Sequence, residues 1–105
     1  MKLITDGHRN VSDPGAEDIR IALGKMEPGN DGFLILEKNA WHYIQCAGDA
    51  SVGFSLEYQE GSLEQHYQVE GRKLDTETVL NIFTSYAARE TAWRSAVPWT
   101  KMDLS

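Results

Sequence analysis

"FLILEKNAWHYIQCAGDASVGFSLEYQEGSLEQHYQVE", residues 33 to 70, decides the fold. Aliphatic, β-branched and aromatic residues recur there in short runs broken by Gly, Asn, Asp and Ser, the pattern of strands joined by tight turns. Four strands are expected: 33–38 (FLILEK), 41–47 (WHYIQCA), 52–59 (VGFSLEYQ) and 63–70 (LEQHYQVE). The links at 39–40, 48–51 and 60–62 fall far short of the dozen or so residues that a parallel return requires. An antiparallel meander is therefore expected, with its first and fourth strands as free edges where a second copy could pair.

Alternation within the runs assigns faces. Val52, Phe54, Leu56 and Tyr58 point one way, and Gly53, Ser55, Glu57 and Gln59 the other. In the fourth run Leu63, Gln65, Tyr67 and Val69 oppose Glu64, His66, Gln68 and Glu70. One sheet face is thus apolar and the other polar and acidic, and the apolar face needs cover.

Two amphipathic segments can supply that cover. In "SDPGAEDIRIALGKM", Ser12 or Asp13 suits a cap, Pro14 the first turn and Glu17 with Asp18 the positive helix end. Ile19, Ala22, Leu23 and Met26 make its apolar stripe, and Gly24 and "EPGNDG" end it. In "LDTETVLNIFTSYAARE", Asp75 or Thr76 caps a helix whose stripe is Val79, Ile82, Phe83 and Tyr86. Pro98 ends any helix by Val97, and Trp93 and Trp99 are expected to fold back over the core with their indole N–H groups bonded at the rim. The expected class is α+β, in the order α-β-β-β-β-α, with both helices on one face of a four-stranded antiparallel meander. It forms a single domain over 1–105: an extended arm at 1–12, a helix at 13–27, the sheet at 33–70, a helix at 75–90 and a tail at 91–105.

The totals narrow the function. Ten Lys and Arg against 16 Asp and Glu give a net charge of -6, which repels a phosphate backbone and favours basic protein partners. Nucleic acid is therefore not an expected partner. The single cysteine, Cys46, allows neither an internal disulfide nor a cysteine-built zinc site, and no apolar run is long enough for a leader or a span. A cytoplasmic location is expected, with no membrane partner.

Residues 41 to 71 gather His42, Cys46, His66 and several acids, which raises the question of an active site. Cys46 and His42 are four apart on a strand, about 13 Å, too far for a thiol and its base. Cys46 reads as a small buried hydrophobe. Glu64 and His66, two apart on one strand face, could meet at an ion, yet no third ligand is spaced to join them from His42 or Glu57. His8 pairs with nothing in the pattern, and no Gly-rich run has phosphate-binding spacing. No catalytic residue, metal or cofactor is expected.

"GFLILEKNAWHYIQC", "FSLEYQEGSLEQHYQ" and "VLNIFTSYAARETAWRSAVPW", spanning about residues 32 to 102, resemble the small immunity proteins of bacterial polymorphic toxin and contact-dependent inhibition systems. The shared features are the hydrophobic opening strand, the central "LEY", the late helix ending in "FTSY" and the closing Trp93 and Trp99. The resemblance implies a non-catalytic protein that neutralises a cognate toxin by binding it. The expected contact face is Glu57, Gln59, Glu64, His66, Gln68 and Glu70, set against a basic toxin domain. Two other readings stand beside it. One is a secretion-chaperone-like dimer, the oligomeric state being either monomer or homodimer. The other is a small-molecule-binding or enzymatic domain whose pocket is lined by Trp41, Tyr43, Tyr67 and Trp93.

Overall fold

The computed structural model describes residues 1–5, 10–26, 32–71 and 73–103. His8 and residue 27, the expected end of the first helix, lie outside them.

The four runs of residues 33 to 70 do form an antiparallel meander: β3 (Phe33–Asn39), β4 (His42–Asp49), β5 (Gly53–Glu60) and β6 (His66–Val69). The sheet is larger than expected, however. Residues 1–12, expected as an unpaired arm, supply β1 (Lys2–Thr5) and β2 (Val11–Ser12), and the tail supplies β7 (Trp99–Lys101). Among the described residues seven strands lie in the order β2-β1-β3-β4-β5-β6-β7, every neighbour antiparallel. Strands β1 and β7 therefore occupy the two edges that the meander would leave free for a second copy. The cause is physical: a bare edge exposes a row of unpaired N–H and C=O groups, and even a three-residue strand satisfies them.

Helix α1 (Ala16–Gly24) is shorter than the expected 13–27, and it starts at Gly15, whose backbone N–H donates to Asp18 Oδ2 at 2.9 Å. Asp13 is not the cap, because it turns the chain with φ 48°. Helix α2 (Thr76–Ala87) starts as the sequence indicates, with Asp75 accepting from Thr78 N–H at 2.8 Å. Between β5 and β6, Leu63–Gln65 wind into a 3-10 turn instead of beginning the fourth strand, and Ala92–Arg94 form another.

Register sorts the sheet into two faces. Leu3, Leu34, Leu36, Ile44, Cys46, Phe54, Leu56 and Tyr58 share the face that α1 and α2 cover, and with Ile19, Leu23, Val79, Ile82, Phe83 and Tyr86 they make one buried core. Trp93 closes this core at 2% exposure, in edge contact with Tyr58 and Tyr86, while Trp99 donates its indole N–H to the Trp93 carbonyl at 3.4 Å. No helix among the described residues lies over the opposite face. Among the described residues no helix is long and apolar enough to cross a membrane.

The β4–β5 hairpin is held by an aspartate and two glycines. Asp49 accepts from the backbone N–H of Ser51 at 2.8 Å and of Val52 at 3.1 Å, and from the Ser51 hydroxyl. Gly48 and Gly53 sit at φ +120° and +92°, and a Cβ on Gly48 would lie 2.3 Å from the Gly53 carbonyl oxygen. Only glycine tolerates both the dihedral and the approach.

Candidate functional site

On the open face the pairing sets Glu57 opposite Gln68, and Gln59 opposite His66. Four of the six expected contact residues thus share one face of β5 and β6. Glu64 and Glu70 do not join them: Glu64 lies in the 3-10 turn and Glu70 beyond the end of β6, both exposed. The expected Glu64–His66 strand pair therefore does not exist, because the turn absorbs three residues before the strand begins.

The four that do gather are not equally available. Gln59 is 2% and His66 4% exposed. His66 Nε2 lies 2.7 Å from Glu57 Oε1, and its Nδ1 lies 3.0 Å from Gln59 Oε1. Gln59 Oε1 also accepts from the Tyr43 hydroxyl at 3.3 Å, and Gln59 Nε2 donates to the Trp41 carbonyl at 3.4 Å. The Trp41 carbonyl orients the amide, so each ring nitrogen of His66 lies against a side-chain oxygen. Burial, then the nearby Glu57 charge, pushes the Tyr43 hydroxyl above its ordinary range.

This constellation has the composition of a catalytic dyad and lacks its geometry. A general base must offer a lone pair to a substrate, and both nitrogens of His66 are already engaged by protein oxygens in a buried ring. Cys46 is likewise spent on structure: it is 2% exposed on the helix-covered face, opposite Leu34 and Leu56, and burial pushes its thiol far up. The thiolate needed for nucleophilic attack is suppressed there. Among the described residues, no three of His, Cys, Asp or Glu come together as a metal site.

The expected aromatic pocket is divided by the sheet. Tyr67 stacks on Tyr58 at 4.8 Å beside Trp93, on the helix-covered face. Tyr43 lies on the open face, its ring 6.1 Å from that of His66. Trp41 sits in the β3–β4 turn. Trp93 lines a cavity of about 200 Å³ with Thr78, Asn81, Ile82 and Ser85, and the buried Ser85 hydroxyl has no partner there. None of the other three aromatics reaches it.

Two exposed apolar residues lie in turns at the same end of the sheet. Trp41 is 57% and Leu63 54% exposed. The turns that carry them are tied together by the Gly61 N–H, which donates to the Trp41 carbonyl at 2.8 Å. The buried Gln59 amide holds the same carbonyl from below, and Asn39 Oδ1 accepts from the N–H groups of Trp41 and His42 at 2.9 and 3.0 Å. A large exposed indole therefore stands on a turn bonded from three sides, with the Glu64 carboxylate exposed in the neighbouring turn. The sequence alone leaves Trp41 as pocket lining or, if exposed, as an interface anchor, and sets Leu63 in the fourth strand. The signal for both is their place in turns rather than strands, which becomes visible only once the turns are located.

No family model, curated protein or solved structure matches the chain.

Proposed function

We propose that the protein is a non-catalytic binding module that neutralises a basic protein partner, a toxin domain as the resemblance to immunity proteins implies. The observation that carries this reading is Trp41, more than half exposed on a turn held by several hydrogen bonds, at the same end of the sheet as Leu63, whereas Trp93 is buried and Trp99 half-buried. Exposed tryptophans on preorganised backbone are the commonest anchors of protein interfaces, since they bury much area at little cost in side-chain entropy. The charge of -6 supplies the second ingredient, steering a basic partner to its encounter.

In this reading the acids that serve that role differ from those expected. Glu57 is committed to His66, and Glu60 to Arg94, whereas Glu64 is exposed next to Leu63. The contact is therefore centred on the Trp41–Leu63 end with Glu64 at its rim, and Gln59 and His66 support the turn from beneath instead of touching the partner. Glu70, at the far end of β6, lies outside it.

The test is affinity capture of the tagged protein from a lysate of its source, with stepwise salt elution. Wild-type, Trp41→Ala and Glu64→Lys baits are run side by side, and the eluates are assayed for toxicity. A basic protein held by wild type, lost from Trp41→Ala and released at lower salt from Glu64→Lys supports the reading. Equal recovery on all three baits counts against it.

A further inference from the structure

We propose that the open sheet face is a self-association surface, and that a second copy of this chain packs against it face to face. This is independent of the toxin-binding reading and uses a different part of the molecule.

The first observation is a mismatch between sequence pattern and cover. A sheet covered on one side only has strands that alternate, apolar inward and polar outward. Strand β5 obeys this rule, with Phe54, Leu56 and Tyr58 buried and Ser55, Glu57 and Gln59 on the other side. Strand β3 does not: Leu34 and Leu36 are fully buried under the helices, yet Phe33 and Ile35 face the side that has no helix. The anomaly continues across the register, since Ile4 of β1 lies opposite Ile35 and Ala47 of β4 lies opposite Phe33. Phe33 and Ala47 are exposed, and Ile4 and Ile35 half-buried. For β3 this is the pattern of a strand covered on both faces, whereas the described helices cover only one.

The second observation is charge. The protein carries -6 overall with His neutral, and one lysine and three carboxylates on the strands of this face account for -2 of it. Its charged strand residues are Lys2 and Glu37, paired at 3.9 Å, Glu57, paired with His66 at 2.7 Å, and Asp49, folded into its own turn. Each of these carboxylates already has a hydrogen-bonding or ionic partner within the chain, which lessens the repulsion that an identical copy meets.

The third is size. Six inter-strand spacings of about 4.8 Å by some five residues of about 3.3 Å give roughly 500 Å² in projection. A pleated, side-chain-covered surface exceeds its projection, which brings the face near the roughly 800 Å² per partner of stable complexes. Edge-to-edge pairing offers less, because the outer strands β2 and β7 have two and three residues. A twofold operator makes the contact isologous and closed, strip against strip, at the ordinary sheet-to-sheet distance of about 10 Å. Trp41 and Leu63, in turns at the end of the sheet, stay outside it.

The experiment is sedimentation velocity with light scattering on the full chain from about 1 to about 200 µM, an ordinary range for dissociation constants of modest homodimers. Wild type is expected to approach twice the 11.8 kDa protomer mass at the upper end. Phe33→Glu and Ala47→Glu, both at already exposed positions, are each expected to weaken the dimer at least about tenfold while circular dichroism stays unchanged. Val52→Glu, in the β4–β5 turn, should dimerise as wild type does. A wild-type protein that remains monomeric at the highest concentration overturns the proposal, as does a dimer indifferent to both face substitutions.

Discussion

Gln59→Met tests the buried polar network most sharply, because methionine has nearly the volume of glutamine and removes its amide without opening a cavity. Three contacts disappear: those to His66 Nδ1, the Tyr43 hydroxyl and the Trp41 carbonyl. Their costs differ with burial. Tyr43 is half-buried and Trp41 exposed, so water can replace what both lose, at a few tenths of a kcal/mol each. His66 is 4% exposed, and a buried donor stripped of its acceptor costs about 1–3 kcal/mol. A total near 2 kcal/mol is expected. With unfolding entropy of about 2.1 cal/mol/K per residue, this lowers Tm by about 9 °C. Urea denaturation and calorimetry read both quantities. Gln68→Met, on the same face but half-buried, should stay within about 0.5 kcal/mol of wild type. A Gln59→Met protein as stable as Gln68→Met would refute the claim that the network holds this end of the sheet together.

Further outcomes follow from the same geometry. Gly48→Ala should cost about 3 kcal/mol or more, since it combines a φ of +120° with a Cβ 2.3 Å from a backbone oxygen, whereas Gly71→Ala, at φ +81° in open space, should cost only about 1–2 kcal/mol. Urea midpoints of the two variants separate the clash from the dihedral strain. Cys46 should resist a thiol reagent in the native protein and react at once in denaturant; stoichiometric labelling of the folded chain would contradict its burial. Asp49 has its carboxyl held below the usual range, chiefly by the Ser51 hydroxyl. A depressed carboxylate contributes stability above its unfolded pKa of about 3.9, and that contribution is lost as pH falls through the folded value. Asp49→Asn should therefore flatten the acid limb of the stability–pH curve, and an unchanged limb would show that the carboxylate plays no part in it.

Much of this fold was legible in the sequence, and what was not has identifiable causes. The four runs and the Asp75-capped helix announce themselves through periodicity, which needs several residues to emerge. Strands of two to four residues such as β1, β2 and β7 offer too few positions to show alternation, and they form because the meander's edges need partners. The fourth run misled for a different reason. A three-residue link at 60–62 would set Gln59 opposite Leu63, but the 3-10 turn takes up Leu63–Gln65 and sets Gln59 opposite His66. That shift removes Glu64 from the strand and buries two residues expected at a contact surface. In "FLIL" of β3 no polar residue marks the second face, so the apolar strip of Phe33 and Ile35 reads simply as more core.

The central claim is that the protein acts by binding, anchored at Trp41. Its most direct test is calorimetric titration of the captured basic partner against wild type and Trp41→Ala at matched salt. A loss of about 30-fold or more in affinity, near 2 kcal/mol, is the expected result for an anchor residue. Equal affinities, with both proteins equally folded, would contradict the account.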